Sequence, residues 1–223
     1  MDHEVRLLLQ QGIDKLGLNL PESTVVQLLE YIQEFQRWNK MHNLSAIHSL
    51  EESVSLHLLD SLAVLNSLDG YLKDKPRKIL ADLGTGGGLP GIVLAICRPE
   101  WTIYLMEAVS KKVAFLEHIK GRLGLSNVRV ISGRIEVTSK NLVGTVTACI
   151  SRAFSDFGKF VELSKPLLEP GGMVWAMKAK LLEEDLKTIP KDWSIQVDLP
   201  LVIPGLQAER RLVGLVPHAT IRP

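Results

Sequence analysis

The chain has 223 residues, of which 46% are hydrophobic and 23% are charged, and this composition excludes a disordered chain. A chain of this length buries about 70% of its unfolded surface, so its core needs no metal, and two cysteines are too few for a disulfide framework or a zinc site. The best apolar run, residues 92–97, is much shorter than the about 20 residues of a membrane span. The acidic first residues are also unlike a signal peptide, so we expect a cytoplasmic protein without a membrane partner.

The net charge of +1 conceals an uneven distribution along the chain. Residues 1–76 contain 6 basic and 11 acidic residues, whereas residues 77–223 contain 20 basic and 14 acidic ones. One interpretation is that these charges only face solvent. The alternative is that the basic excess in residues 77–223 allows a polyanion to bind there.

Residues 1–76 are predicted to form a helical extension. Apolar residues recur at helical spacing in three stretches: the first ends near Gly17, the second follows Pro21, and the third begins near Glu51. In the third stretch, one stripe contains Val54, Leu58, Leu62 and Leu65.

Residues 77–223 are predicted to form a doubly wound α/β domain, because short apolar strands alternate with amphipathic helices, as in a parallel sheet covered on both faces. The strand candidates are Lys78–Asp82, Thr102–Glu107, Val128–Ser132, Val146–Ser151, Met173–Lys178, Ile195–Val202 and Leu212–Pro217. The helix candidates are Gly88–Cys97, Lys111–Leu123, Val137–Asn141, Phe157–Leu168 and Leu181–Thr188. A short connection with Pro204 and Gly205 joins the last two strands, which we expect to pair antiparallel.

A glycine-rich loop, DLGTGGGLPG from Asp82 to Gly91, follows the first strand candidate. Glycines let a ligand lie against the main chain near a helix N-terminus, and a doubly wound sheet binds ligands at the carboxyl ends of its strands, where this loop falls. We therefore predict a ligand site here; a tight turn without a ligand is the alternative.

Two classes of cofactor fit this loop. The spacing of Gly86, Gly88 and Gly91 matches the dinucleotide fingerprint, in which Glu107 would bind a ribose. Asp82, however, would crowd a pyrophosphate, whereas it suits the ammonium group of S-adenosylmethionine (AdoMet), directly or through water. The residues favour AdoMet over a nicotinamide cofactor, with Glu107 accepting from both ribose hydroxyls and residues 132–136 near the adenine.

These motifs together resemble a known family. The glycine loop, Ser151-Arg152-Ala153-Phe154 and Trp38-Asn39-Lys40 with Asn43-Leu44 are similar to the RsmG (GidB) family, bacterial enzymes that transfer a methyl group from AdoMet to N7 of a guanine in small-subunit (16S) ribosomal RNA. The resemblance runs from about residue 25 to about residue 216. It implies a seven-stranded, mostly parallel, Rossmann-like methyltransferase sheet behind the helical extension.

The resemblance also implies functional residues. It places Gly84, Leu89, Ile135, Glu136 and Arg152 at the AdoMet site, with Glu107 and Ala108 beside it. With the loop, the full set predicted to bind AdoMet is Asp82, Gly84, Thr85, Gly86, Gly88, Leu89, Glu107, Ala108, Ile135, Glu136 and Arg152. The sequence departs from the family pattern at Ser45, Leu56, Ala179 and Arg211.

The residues themselves limit the methyl acceptor. The Asn/Asp-Pro-Pro-aromatic element typical of amino-methylating enzymes is absent after the fourth strand candidate. Enzymes that methylate carbon 5 of pyrimidines need a nucleophilic cysteine, whereas Cys97 and Cys149 are predicted to be buried. N7 of guanine already has an in-plane lone pair, so it needs no general base and its methylation can rest on alignment.

Arg152 and Lys178 are predicted to position the acceptor. Arg152 would donate to guanine O6 or to a phosphate, or would hold a carboxylate such as Asp60 or Asp82. Contacts with RNA are predicted for Trp38, Asn39, Asn43, His57, Asp60, Ser61, Arg210 and Arg211. The alternatives are solvated charges for the arginines, packing for the residues of 38–43, and an inter-domain hydrogen-bond network for residues 57, 60 and 61, whose spacing puts them on one helical face.

The sequence therefore predicts an AdoMet-dependent methyltransferase for guanine N7 of 16S ribosomal RNA, acting on the RNA or on the 30S subunit, with a monomer favoured. The alternatives are a small-molecule AdoMet methyltransferase, a non-catalytic RNA-binding module that retains an AdoMet pocket, and a nicotinamide-dependent oxidoreductase.

Overall fold

The computed structural model describes residues 3–152, 154 and 156–218, so Ala153 of the Ser-Arg-Ala-Phe motif lies outside the described residues. The first part is helical, as predicted. Its segments are α1 (His3–Lys15), α2 (Glu22–His42), α3 (Leu50–Ser53), a π-helical turn (Val54–Leu59), α4 (Asp60–Leu62) and α5 (Leu65–Leu72). No helix within the described ranges is both long and apolar enough to cross a membrane.

The second part contains the predicted seven-stranded sheet. Its strands are β1 (Ile79–Leu83), β2 (Thr102–Glu107), β3 (Val128–Ser132), β4 (Val146–Ser151), β5 (Leu168–Lys178), β6 (Trp193–Pro200) and β7 (Arg211–Pro217). Its helical segments are α6 (Gly91–Cys97), α7 (Ser110–Arg122), α8 (Ile135–Thr138), a 3-10 turn (Ser139–Leu142), α9 (Phe157–Ser164) and α10 (Glu183–Lys187).

The strand order is β3-β2-β1-β4-β5-β7-β6. The first five strands run parallel, whereas β7 pairs antiparallel with both β5 and β6, which confirms the expected antiparallel pair. The order reverses between β1 and β4, so a crevice opens at the carboxyl ends of these two strands.

Two hydrophobic cores cover the two faces of the sheet. Alternate residues of β1 point to opposite faces: Leu80 belongs to the core that includes the N-terminal helices, whereas Ala81 and Leu83 belong to the core under α9. The helices before residue 76 thus share one core with α6 and α7. The predicted division into residues 1–76 and 77–223 follows the change from helices to sheet and separates elements that pack together.

Helix α2 packs directly on the glycine loop. The hydroxyl of Tyr31 donates to the carbonyl oxygen of Gly87 at 2.9 Å, and a Cβ added to Gly87 would lie 2.2 Å from the Phe35 ring. Phe35 also contacts the ring of Phe115 in α7, with 5.7 Å between centroids. The absence of a side chain at Gly87 therefore lets α2 pack closely on the loop. This packing requires a glycine at position 87 whether or not a ligand binds.

The third predicted helix is interrupted. Its apolar stripe is buried as expected, but the amide of Asp60 donates to the carbonyl of Ser55, five residues earlier, which is the pattern of a π-helix. The wider turn changes the angular phase of the side chains that follow it. Residues 57, 60 and 61, which were expected to share one α-helical face, lie in or just after this turn and are all buried.

Candidate functional site

The glycine loop turns in the left-handed region of the backbone. Gly84, Gly86 and Gly88 have φ values of +67°, +62° and +96°, which glycine adopts without the steric penalty of a Cβ. Helix α6 begins at Gly91, three residues after the predicted start, because residues 86–90 are still in turns. The loop thus exposes main chain at the carboxyl end of β1.

Asp82 lies beneath this loop and organises it. Its Oδ2 accepts from the Thr85 hydroxyl at 2.6 Å and from the Gly91 amide at 2.8 Å. The side chain is fully buried, and its Oδ1 has no hydrogen-bond partner within the described part of the chain. Burial raises the pKa of Asp82 to about 6, although the two hydrogen bonds and the charge of Arg152 oppose the shift.

Glu107 joins β2 to the same loop. Its Oε2 accepts from the amide of Gly86 at 2.9 Å, and its Oε1 accepts from the amides of Ala108 and Val109, also at 2.9 Å. Each carboxylate oxygen has more than one lone pair, so these bonds orient the side chain and leave capacity for a further donor.

Three cavities follow one another along the carboxyl edge of the sheet. The strand-end cavity, of about 290 Å³, is lined by Gly84, Met106, Glu107, Ala108, Gly133, Arg134, Ile135 and Glu136. The glycine-loop cavity, of about 240 Å³, is lined by Phe35, Leu44, Ser45, His57, Gly84, Thr85, Gly86, Gly87, Leu89, Lys112 and Arg152. The third, which we call the arginine cavity, has about 290 Å³ and includes His57, Asp60, Arg152, Lys178, Arg210 and Arg211.

Shared residues connect the three cavities. Gly84 lines both the strand-end and the glycine-loop cavity, while His57 and Arg152 line both the glycine-loop and the arginine cavity. A ligand that spans the first two cavities would therefore reach the wall of the third.

Asp60 holds two arginines at the arginine cavity. Its Oδ2 lies 3.1 Å from Nη1 of Arg152, and its Oδ1 lies 3.2 Å from Nε of Arg210. The Asp60 side chain is 3% exposed, whereas the two arginines are 28% and 24% exposed. The Asp60 side chain is thus nearly inaccessible to RNA, and its carboxylate fixes both guanidinium groups. An ion pair between Arg152 and Asp60 was one of the alternatives predicted from the sequence.

His57 separates the two cavities as a neutral ring. Burial, together with the positive charge of Arg152, lowers the pKa of His57 to about 4. Its Nδ1 lies 3.0 Å from the carbonyl oxygen of Leu56 and therefore carries the hydrogen, because a carbonyl only accepts. Its Nε2, 3.2 Å from the Ser45 hydroxyl, is then an acceptor.

Lys178 and Arg211 form the far wall of the arginine cavity. Nζ of Lys178 lies 2.7 Å from Oδ1 of Asp185 and 5.1 Å from the centre of the Phe157 ring. Nε of Arg211 lies 2.8 Å from Oδ1 of Asp198. These ion pairs fix the two cationic side chains in place.

Six predicted site residues do not line these cavities, and one of them is Asp82, which lies beneath the glycine loop. Asn39 and Ser61 are fully buried, and Asn39 bonds the main chain of Ile47 and Ser45. Trp38 packs on Phe115 with 5.6 Å between ring centres. Asn39 thus bonds within the extension and Trp38 packs against α7, which agrees with the packing alternative, while contact of Trp38, Asn39 and Ser61 with RNA stays a prediction. The other two are Asn43, which ends α2 in a left-handed conformation, and Gly88, where a Cβ would lie 2.4 Å from Ile92.

The chain resembles known proteins over nearly its whole length. A family profile described as rRNA small subunit methyltransferase G (GidB) matches residues 24–213. The ribosomal RNA small subunit methyltransferase G of Polynucleobacter asymbioticus is 48% identical over 211 residues, which are 94% of this chain and 95% of that protein. The protein of the same name from Neisseria meningitidis is 40% identical over 207 residues, covering 93% and 96%.

The chain belongs to the rRNA small subunit methyltransferase G (GidB) family. The resemblance predicted from the glycine loop and the Ser-Arg-Ala-Phe motif is thereby confirmed, as is the prediction that the chain is a methyltransferase.

Solved structures support the fold of this methyltransferase G family member. A SAM-dependent methyltransferase from Aquifex aeolicus has a TM-score of 0.52 at 15% identity, covering 72% of this chain and 92% of that one. A predicted O-methyltransferase from Agrobacterium tumefaciens has a TM-score of 0.53 at 17% identity, covering 71% and 81%. The Rossmann-like methyltransferase fold predicted from the sequence is confirmed.

AdoMet is the cofactor of this methyltransferase, and the residues present fit it. The buried Oδ1 of Asp82 is an acceptor without a donor, which suits the cationic end of the cofactor. Glu107 lines the strand-end cavity together with Ile135 and Glu136, and its carboxylate suits the ribose hydroxyls.

The pKa of Asp82 predicts a dependence of stability on pH. Because the pKa rises from 3.8 in the unfolded chain to about 6 in the folded one, the folded state binds the proton more tightly. The contribution of Asp82 to the free energy of unfolding should therefore fall by about 2 kcal/mol between pH 4 and pH 6.5. The substitution Asp82→Asn should remove this decline, which urea denaturation of both proteins at a series of pH values would measure.

Cofactor binding provides the second readout for Asp82. AdoMet affinity of the unsubstituted protein should rise as pH increases through 6, since the ionised carboxylate attracts a cation. In Asp82→Asn this rise should vanish and affinity should be weak throughout. Identical pH profiles for the two proteins would show that Asp82 does not titrate in this range.

Proposed function

We propose that this chain transfers the methyl group of AdoMet to N7 of a guanine in 16S ribosomal RNA, in the cytoplasm. The observation that carries the proposal is the continuity of the cavities, since His57 and Arg152 line both the glycine-loop cavity and the arginine cavity. The donor and a base entering the arginine cavity would meet at these two side chains.

The arginine cavity suits a single unstacked base. Its volume of about 290 Å³ lies at the small end of ligand pockets, which span about 300–1,000 Å³, so a duplex would not enter it. Enzymes that modify bases commonly extrude the target nucleotide into such a pocket. Arg152, Arg210 and Arg211 at its wall would donate to base oxygens and to phosphates.

The chemistry at the junction favours an acceptor that needs no deprotonation. AdoMet supplies an electrophilic methyl group on its sulfonium. The only ring nitrogen of His57 without a hydrogen is occupied by Ser45, and its low pKa makes it a weak base. Burial raises the pKa of Cys97 and of Cys149 to about 12, so neither supplies a thiolate. Guanine N7 has its lone pair ready, and the protein has to align it.

A methyl-transfer assay tests the proposal. Purified protein with AdoMet labelled in the methyl group would be offered 30S subunits, naked 16S ribosomal RNA and a mixture of small metabolites. Label should enter RNA, in one of its two forms, as 7-methylguanosine detected after digestion to nucleosides. Label in a metabolite alone would establish a small-molecule methyltransferase, and RNA binding without any transfer would establish a non-catalytic module.

A further inference from the structure

Lys112 extends over the glycine loop from α7. It is half-buried and lines the glycine-loop cavity, and its Nζ lies 4.0 Å from the position of a Cβ built on Gly86. The ammonium group therefore stands on the side of the loop where a ligand would lie. Neither the glycine loop nor the family motifs in the sequence include this residue.

No carboxylate in the described part of the chain neutralises Lys112. Within residues 3–152, 154 and 156–218, no acidic side chain lies within 4.0 Å of its Nζ. The neighbouring Lys111 differs, because it is exposed and its Nζ donates to the carbonyl oxygen of His42 at 2.7 Å. A half-buried cation that faces a cavity without a partner favours an anionic ligand.

The position of Lys112 in its helix supports this reading. The first turn of α7 contains Lys111 and Lys112 and no acidic residue. A positive charge at the start of a helix is unfavourable, because the main-chain dipoles already make that end positive. Helix stability therefore does not account for Lys112.

We propose that Lys112 binds the carboxylate of the methionine part of AdoMet. This inference rests on the proposed function, which places AdoMet along the strand-end and glycine-loop cavities. In the glycine-loop cavity Lys112 supplies the cationic group over Gly86, while the partnerless Oδ1 of Asp82 lies under the same loop. A zwitterion with its carboxylate towards Lys112 and its ammonium group towards Asp82 complements both charges. Lys112 would thereby distinguish AdoMet from adenosine compounds that lack the carboxylate.

Decarboxylated AdoMet gives a direct test, because it keeps the ammonium, the sulfonium and the ribose and lacks only the carboxylate. Titration calorimetry would measure the affinity of both compounds for the unsubstituted protein, for Lys112→Met and for Lys111→Met. Methionine retains most of the apolar length of lysine without its charge, and its effect on α7 should be neutral or stabilising. Lys111→Met is the matched control, since it removes the adjacent cation.

In Lys112→Met, AdoMet affinity should fall by about 10- to 100-fold, as for a lost charge-assisted hydrogen bond. Affinity for decarboxylated AdoMet should stay the same or increase, because that compound is a dication. Lys111→Met should change neither value by more than about twofold.

An equal loss for both compounds, or no loss for AdoMet, would overturn the assignment. If Lys112→Met kept its AdoMet affinity and bound 30S subunits less tightly, the lysine would instead contact an RNA phosphate. Failure of the unsubstituted protein to bind AdoMet would contradict the proposed function itself. This outcome differs from a failure of the Lys112 assignment, because it would be seen without any substitution.

Discussion

The substitution Arg152→Ala should lower kcat by about 100-fold or more at saturating AdoMet and RNA. Arg152 touches both the glycine-loop cavity and the arginine cavity, and its Nη1 donates to the carbonyl oxygen of Leu56 at 3.0 Å and to Asp60. A reaction that relies on alignment is sensitive to displacements of about 1 Å. Steady-state kinetics of methyl transfer would measure the loss.

Arg210→Ala is the matched control for this substitution. Either change removes one guanidinium from the buried carboxylate of Asp60, and each should reduce the free energy of unfolding by about 1–3 kcal/mol. Arg210 lines only the arginine cavity, so its loss should mainly raise KM for RNA and leave kcat within about tenfold. If Arg152→Ala kept its turnover, Arg152 would not belong to the reacting site.

The substitution Gly86→Val should abolish detectable AdoMet binding while the protein remains folded. Gly86 has a φ of +62° and bonds Glu107 through its amide, and its free face lies under Lys112 in the glycine-loop cavity. A valine side chain would occupy the space of the cofactor and would also strain the backbone. Calorimetry with AdoMet would measure the loss of binding.

Gly124→Val separates these two effects. Gly124 has a nearly identical φ of +65° and has nothing within 4 Å of its built Cβ. Both substitutions should lower the free energy of unfolding by about 1–2 kcal/mol through backbone strain, yet only Gly86→Val should lose AdoMet. Retained affinity in Gly86→Val would contradict the close approach of the cofactor to this loop.

Sequence patterns predicted the cofactor region better than the acceptor region. Two adjoining cavities are lined by most of the residues predicted to bind AdoMet, namely Gly84, Thr85, Gly86, Leu89, Glu107, Ala108, Ile135 and Glu136. Gly88 is an exception. The lining residues lie at or within a few residues of the ends of β1, β2 and β3, and the carboxyl ends of parallel strands meet at one edge. Asp82 lies within β1 rather than after it, and its buried side chain bonds Thr85 and Gly91 beneath the loop.

The acceptor region depends on contacts between distant parts of the chain. Asp60 meets Arg152 and Arg210, which are 92 and 150 residues away in the sequence. No local periodicity encodes such a meeting. Ser61 is fully buried and does not line the arginine cavity, so a face drawn with α-helical spacing grouped a buried hydroxyl with two cavity residues.

The sequence by itself determined the strands, the glycine loop and the family. The bounds of β2, β3 and β4 agree with the prediction residue by residue, because short apolar runs next to turn residues are local signals. The tertiary structure alone decided which charged side chains are fixed by buried partners and which face a cavity, as Asp60 and Lys112 illustrate. Burial and ion pairing depend on neighbours brought together by folding, and these are absent from any window of adjacent residues.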